Sequence, residues 1–203
     1  MQITPDWISG FTDGEGCFTV HCQLNKGKRG YTLSVAPIFR ISLSKSDGQV
    51  LHQICQELGV GRVPDSKGYT SGYGKIKWPK RTYCVTSVPE CLVLRDFFNS
   101  HPLHTKKKET FEYWSQCLDL MGKGPLTRED LKKLLHWRDK MNPGNKRQQM
   151  GKTAYRDARH ILNLLDKGTC QLSLGSEAAD ALSHLSSAQR QNHTKNKSQL
   201  DLL

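Results

Sequence analysis

No stretch of this chain approaches the ~20 consecutive apolar residues needed to cross a bilayer. Residues 1–20 also lack a basic start followed by an apolar segment. Neither a membrane span nor a secretory leader is expected. None of the seven cysteines (17, 22, 55, 84, 91, 117 and 170) forms a C-x-x-C pair, and their number is odd. Scattered through hydrophobic or strand-like surroundings, they read as buried reduced thiols, not as a disulfide framework or zinc site. His101 and His104 are the only close histidine pair, and no cysteine or third ligand neighbours them in the sequence. A loop or phosphate contact is favoured over a metal site there. Acidic residues are scarce: 19 Asp and Glu stand against 30 Lys and Arg, a net charge of +11, with a pI of about 9.4. That balance points to a polyanionic partner such as nucleic acid. Internal repeats are missing too.

What the chain does have is an unusual first helix. Thr4 is a good N-cap, Pro5 suits the first helical position and Asp6 favours the positive helix end. The far end breaks the rules. Asp13 and Glu15 sit at the C-terminus, where the macrodipole disfavours negative charge by roughly 0.3–1 kcal/mol each. Gly10 and Gly14 lie four apart within the helical run, each costing about 0.5–1 kcal/mol relative to Ala. Small residues and misplaced charge in one turn imply close backbone packing beside a carboxylate site.

Downstream, residues 17–24 alternate, with Phe18, Val20, Cys22 and Leu24 apolar and Cys17, Thr19, His21 and Gln23 polar. A basic, glycine-containing turn spans 25–30. Tyr31 to Ser44 alternates again, with Leu33, Val35, Phe39, Ile41 and Leu43 facing away from Thr32, Ser34, Arg40, Ser42 and Ser44. An amphipathic helix is predicted from Ser46 to Leu58, with Gly59 as its stop. A short strand at 61–63, a loop over 64–75 and a strand over 76–88 broken by Pro79 make a second hairpin. Ser87 to Glu90 is a capping box that starts a helix running through Phe98, with Leu94, Phe97 and Phe98 turned inward. Three lysines, Lys106 to Lys108, open the next helix against its dipole. Further helices follow Thr127 and surround Ala158 to Leu165, with a basic loop at 145–152 between them. From Thr169 the chain is rich in Ser, Gln, Asn and Leu and net neutral, and reads as a poorly ordered tail with a weak helix over 176–189. The organisation is a core at 1–122, a helical extension at 123–168 and a polar tail at 169–203.

Trp7 to Gly16, with helix–hairpin–helix–hairpin–helix order after it, resembles the LAGLIDADG homing endonucleases. Gly59-Val60-Gly61, the Pro102-Leu103…Lys106-Lys107…Phe111…Trp114 pattern and Leu126 to Asn142 extend the likeness over residues 4–165. The resemblance implies an α+β fold: an α-β-β-α-β-β-α core with a saddle-shaped antiparallel sheet, plus C-terminal helices. It implies a site-specific double-strand DNA endonuclease that works as a homodimer on a long pseudo-palindromic target. The motif helix would pack on its copy through Ser9, Gly10, Asp13 and Gly14. Glu15 and the Gly14 carbonyl match the family's metal ligands, with Mg²⁺ expected and Mn²⁺ as a substitute. Asp13 is read as a structural acid, and Lys107 matches the family's basic residue near the phosphate. Where some members carry a polar side chain near the attacking water, this chain has Leu43.

The same likeness turns the polar sheet face toward DNA. His21, Gln23, Thr32, Ser34, Arg40, Ser42, Arg62, Thr82 and Cys84 are the candidates for reading bases. Lys26, Lys28, Arg29, Lys67, Lys75 and Lys77 are candidates for phosphates, and Lys146, Arg147, Lys152, Arg156 and Arg159 extend them. Residue by residue, alternatives stand: a solvated carboxylate for Glu15, packing within one chain for Gly10 and Gly14, a wet surface for the lysines. Two other functions share the fold, an intron maturase binding RNA and a nuclease-inactive DNA-binding regulator. An organellar location, chloroplast or mitochondrion, is implied by the resemblance, with cytoplasm or nucleoid as the alternative.

Overall fold

The computed structural model describes residues 3–28, 30–64, 69–70, 76–77, 79–141, 158–168 and 170–174. Helix α1 (Pro5–Glu15) is capped as expected, the Thr4 hydroxyl accepting from Trp7 N at 3.2 Å. It stops at Gly16, whose backbone turns extended while its N–H still bonds Thr12 O. A Cβ at Gly16 would lie 2.6 Å from Thr12 Cγ2 and 2.7 Å from Thr12 O. Only glycine lets the chain leave the helix and enter a strand at that point.

Strand β1 (Gly16–Gly27) runs antiparallel to β2 (Gly30–Ser44), paired from Gly16↔Ile41 to Gly27↔Gly30. The turn is therefore tighter than the 25–30 stretch expected, and a positive φ of 123° at Gly30 restarts the strand. Helix α2 (Gln49–Leu58) begins later than Ser46, because Lys45–Asp47 form a 3₁₀ turn and Gly48 lies against the Arg81 side chain. Gly59 ends it in the left-handed conformation, as read.

The second hairpin is where expectation and structure part. Instead of a strand at 61–63, Arg62 makes a single bridge to Cys84, with N–O distances of 3.0 and 2.9 Å. Gly61 explains the brevity. Its φ is +82°, and a Cβ there would meet Val85 Cγ2 at 2.6 Å and Tyr83 Cε2 at 2.7 Å. Chain that close, turning that sharply, touches its neighbour once. The expected strand over 76–88 is cut at Pro79 and ends at Val85. Strands β3 (Tyr69–Thr70) and β4 (Ile76–Lys77) form a separate pair, while β5 (Lys80–Val85) joins β2 through Phe39↔Val85 to Ser44↔Lys80.

Helix α3 (Val88–Ser100) starts at the predicted capping box: the Ser87 hydroxyl accepts from Glu90 N at 3.4 Å and donates to Glu90 Oε2 at 2.7 Å. The other carboxylate oxygen of Glu90 accepts from Gly61 N at 3.1 Å, tying the cap to the bridge. Leu94 and Phe98 are buried, but Phe97 is only half-buried, its ring centroid 5.1 Å from that of His101 and tilted 38° to it. Helices α4 (Lys107–Gly122), α5 (Arg128–Met141) and α6 (Ala158–Asp166) follow. Strand β6 (Cys170–Leu174) then pairs parallel to β2 at Tyr31–Val35. It lies at the start of the stretch read as a poorly ordered tail, and it adds a parallel strand to an otherwise antiparallel sheet. The basic loop at 145–152 and the tail beyond 174 lie outside the described residues. No described helix is long and apolar enough to cross a membrane.

Helices α1, α3, α4 and α5 pack on β1 and β2, whose apolar face is buried. Phe18 is the centre of that contact, with ring centroids 4.8 Å from Phe39, 5.1 Å from Trp114, 5.4 Å from Phe111 and 5.6 Å from Phe98. It belongs to the strand that leaves α1, so the core holds the end of the motif helix in place. Phe18→Ala should lower unfolding free energy by about 3–5 kcal/mol in chemical denaturation. A loss below about 1 kcal/mol would show that this cluster does not anchor the helix end.

Candidate active site and nucleic-acid interface

Helix α1 shows three different faces. Ile8 and Thr12 are fully buried against the sheet. Ser9, beside them, is buried as well, and its hydroxyl donates to His101 O at 2.8 Å. Ser9 thus serves its own chain, which corrects its expected place among residues offered to a second helix. Asp13 turns the same way. Its carboxylate accepts from His104 N at 2.8 Å, Thr105 N at 3.2 Å and Thr105 Oγ1 at 2.7 Å. Partial burial alone would push the Asp13 carboxyl up, but these hydrogen bonds, helped by the nearby His104 charge, outweigh it and hold the group below the usual carboxylate range.

The third face is open. A Cβ built on Gly10 or on Gly14 would meet nothing within 4 Å. Trp7, the most exposed aromatic beside them at 38%, stacks flat on Phe11 with centroids 4.7 Å apart. Among the described residues, packing within one chain gives no reason for either glycine.

Glu15 ends this helix exposed, and no hydrogen bond or ion pair engages it among the described residues. The carbonyls on either side of it are occupied. Lys107 Nζ donates to Gly14 O at 3.3 Å and to Gly16 O at 2.5 Å. An ammonium there offsets the negative end of the α1 dipole. Of the three consecutive lysines, Lys107 is half-buried at this junction, while Lys106 and Lys108 are exposed. The local misplacement read from the lysine run is thus met partly by the backbone carbonyls of α1.

Among the described residues, no group of three His, Cys, Asp or Glu side chains stands close enough to hold a metal. What one chain offers is a carboxylate and a carbonyl beside it, Glu15 and Gly14: hard oxygen donors of the kind Mg²⁺ takes, but only part of a coordination set. His101 Nδ1 lies 3.3 Å from Asp6 Oδ1, while the His104 backbone N–H donates to Asp13.

The sheet brings the proposed base-reading residues together. Cys17, Arg40, Cys84 and Arg62 form one transverse row through the pairings Cys17↔Arg40, Arg40↔Cys84 and Arg62↔Cys84. Ser42 and Thr82 form the next, their hydroxyls 2.9 Å apart. Toward the hairpin tip, Gln23 pairs with Ser34 and Asn25 with Thr32. His21 Nε2 lies 3.1 Å from Gln23 Oε1, and Gln23 Nε2 donates to Asn25 Oδ1 at 3.0 Å, an amide ladder along β1. Asn25 was missed in the sequence because it was assigned to the turn, although its parity with Gln23 put it on this face. Lys26 and Lys28 are exposed at the hairpin tip. Arg29, Lys67 and Lys75 lie outside the described residues, as do Lys146, Arg147, Lys152, Arg156 and the side chain of Lys77. Arg159 sits exposed on α6.

The LAGLIDADG endonuclease family model matches residues 8–118. In structure the chain is similar to the homing endonuclease I-TnaI, with a TM-score of 0.60 and 35% identity over 73% of this chain and 94% of that one. It is also similar to I-SmaMI bound to an uncleaved DNA target in the presence of calcium ions, with a TM-score of 0.59 and 26% identity over 72% of this chain and 48% of that one. In sequence it is 30% identical over 119 residues to the probable intron-encoded endonuclease 3 of Neurospora crassa, spanning 59% of this chain but only 20% of that protein. A 50.9 kDa protein in ND4 intron 1 of Podospora anserina matches at 30% over 122 residues, 24% of its length. The chain thus spans about a quarter or less of these curated relatives. The match takes in the end of the motif helix, strands β1, β2 and β5 and the Lys107 junction, and the chain belongs to the LAGLIDADG endonuclease family.

Proposed function

We propose that this chain is a site-specific double-strand DNA endonuclease that acts as a homodimer with a divalent metal. The observation that carries the proposal is the pairing of an unengaged Glu15 carboxylate with a side of α1 where a Cβ added at Gly10 or Gly14 would meet nothing among the described residues. A helix bearing both is half of a site. Two such helices, packed glycine to glycine about a two-fold axis, bring two Glu15 carboxylates together, an arrangement that repels itself unless cations neutralise it.

Glu15, with the Gly14 carbonyl that Lys107 also contacts, would hold the metal, Mg²⁺ or in its place Mn²⁺. When bound, it supplies Lewis acidity toward the scissile phosphate and the attacking water. Lys107 provides the positive charge that meets the negative charge developing on the phosphate. Arg40 reads guanine through two parallel hydrogen bonds, and Gln23 reads adenine. Lys26, Lys28, Arg29, Lys67, Lys75 and Lys77 contact phosphates and supply affinity without sequence choice. Two-fold symmetry of the protein makes the target long and pseudo-palindromic. A maturase or a silent regulator needs the basic sheet but not the free carboxylate, which is why cleavage is preferred. The intron-encoded relatives support action in an organelle that carries such introns.

Glu15→Gln should bind the target with unchanged affinity and cleave it at least ~10³-fold more slowly in single-turnover assays with Mg²⁺. Retained cutting would remove Glu15 as the ligand. Arg40→Ala should relax preference at one base position in each half-site by about 1–3 kcal/mol in a binding-selection experiment. An even loss across all positions would make Arg40 a phosphate contact.

A further inference from the structure

We propose that Thr105, held by Asp13, is a positioning residue that selects Lys107 from three adjacent lysines and sets its ammonium beside Glu15. The inference rests on the reading of Lys107 as the group that meets the phosphate.

Four hydrogen-bonded links close a ring between segments more than 90 residues apart. Thr105 Oγ1 donates to Asp13 Oδ1 at 2.7 Å and accepts from Lys107 N at 3.2 Å. Lys107 Nζ then returns to Gly14 O, next to Asp13, at 3.3 Å, and to Gly16 O at 2.5 Å. The His104 and Thr105 amides add two more bonds to the same carboxylate. Helix α4 needs this device because its formal N-cap, Lys106, has no side-chain cap of its own. The Thr105 hydroxyl caps the helix instead, one position earlier.

The consequence follows from helix geometry. Successive residues on an α-helix point about 100° apart. Lys106, Lys107 and Lys108 therefore aim in three directions, and a small rotation of the first turn exchanges which one faces the end of α1. Each lysine side chain is long and flexible, so charge alone does not choose among them. A carboxylate that fixes two backbone amides and a hydroxyl does. Both Asp13 oxygens are engaged in this task, Oδ1 twice and Oδ2 once.

The test compares Thr105→Val, Thr105→Ser, Lys107→Met and the Val/Met double variant. Thr105→Val should slow single-turnover cleavage 10- to 30-fold while target affinity stays at the wild-type value and the melting temperature falls by no more than the few degrees that a lost helix cap costs. Thr105→Ser should return the rate to within about 3-fold of wild type. In the Lys107→Met background the valine should cost nothing further, since its effect passes through the lysine. A fully additive double variant, or a rate loss that tracks melting temperature and is not rescued by serine, would overturn the proposal. A second readout does not depend on cleavage. Limited acylation with acetic anhydride, mapped by peptide mass spectrometry, should modify Lys107 more slowly than Lys106 and Lys108 in the wild-type chain. Thr105→Val should abolish that difference. Equal protection of Lys107 in both proteins would sink the latch even if the wild type cut no DNA, whereas an intact latch without cleavage would count against the nuclease reading alone.

Discussion

Gly16 has no room for a side chain, and the site depends on that. With a Cβ placed 2.6 Å from Thr12 Cγ2, any other residue would push the first strand away from the helix that precedes it. Because glycine permits the close turn, Glu15 is left at the last position of α1, exposed, while Phe18 three residues later enters the aromatic core. One junction therefore couples the carboxylate to the stability of the whole sheet. The Lys107 bond to Gly16 O reinforces it from the other side.

The costs carried by α1 make sense only with this junction in view. A carboxylate at the negative end of a helix is unfavourable, and so are glycines within it. Asp13 is offset inside the chain by three hydrogen bonds. Among the described residues Glu15 has no such partner, and no side chain packs where a Cβ at Gly10 or Gly14 would lie. The unbalanced features lie at the open side and end of one helix, where a copy of the chain and a cation would meet them. The balanced ones face inward and hold the lysine helix.

The alternation of β1 and β2 was readable in the sequence because a strand with one buried face repeats every two residues, and the buried set from Phe18 to Leu24 and Leu33 to Ile41 follows it. Caps at Thr4, Ser87 and Gly59 were readable for the same reason: their signals are local. Contacts that join distant segments were not. Nothing near Asp13 reveals that its partners are His104 and Thr105, and helical spacing alone does not say that Ser9 faces His101 rather than a second molecule. Arg62 was given a strand on the strength of its neighbours, but Gly61, pressed against Tyr83 and Val85, allows one bridge. Strand β6 was hidden by the polar composition around it, although Cys170, Leu172 and Leu174 already alternate with Gln171 and Ser173.

The central claim is that the exposed glycine face of α1 meets the same face of a second chain, so that neither chain holds a complete site. Native mass spectrometry of the intact protein on duplex target, with calcium present to prevent cutting, counts the chains directly. Two chains per duplex for the wild type, and failure of Gly10→Leu to form that complex while keeping wild-type helix content by circular dichroism, is the expected result. A single wild-type chain on each duplex, still cutting both strands once Mg²⁺ is added, would contradict it.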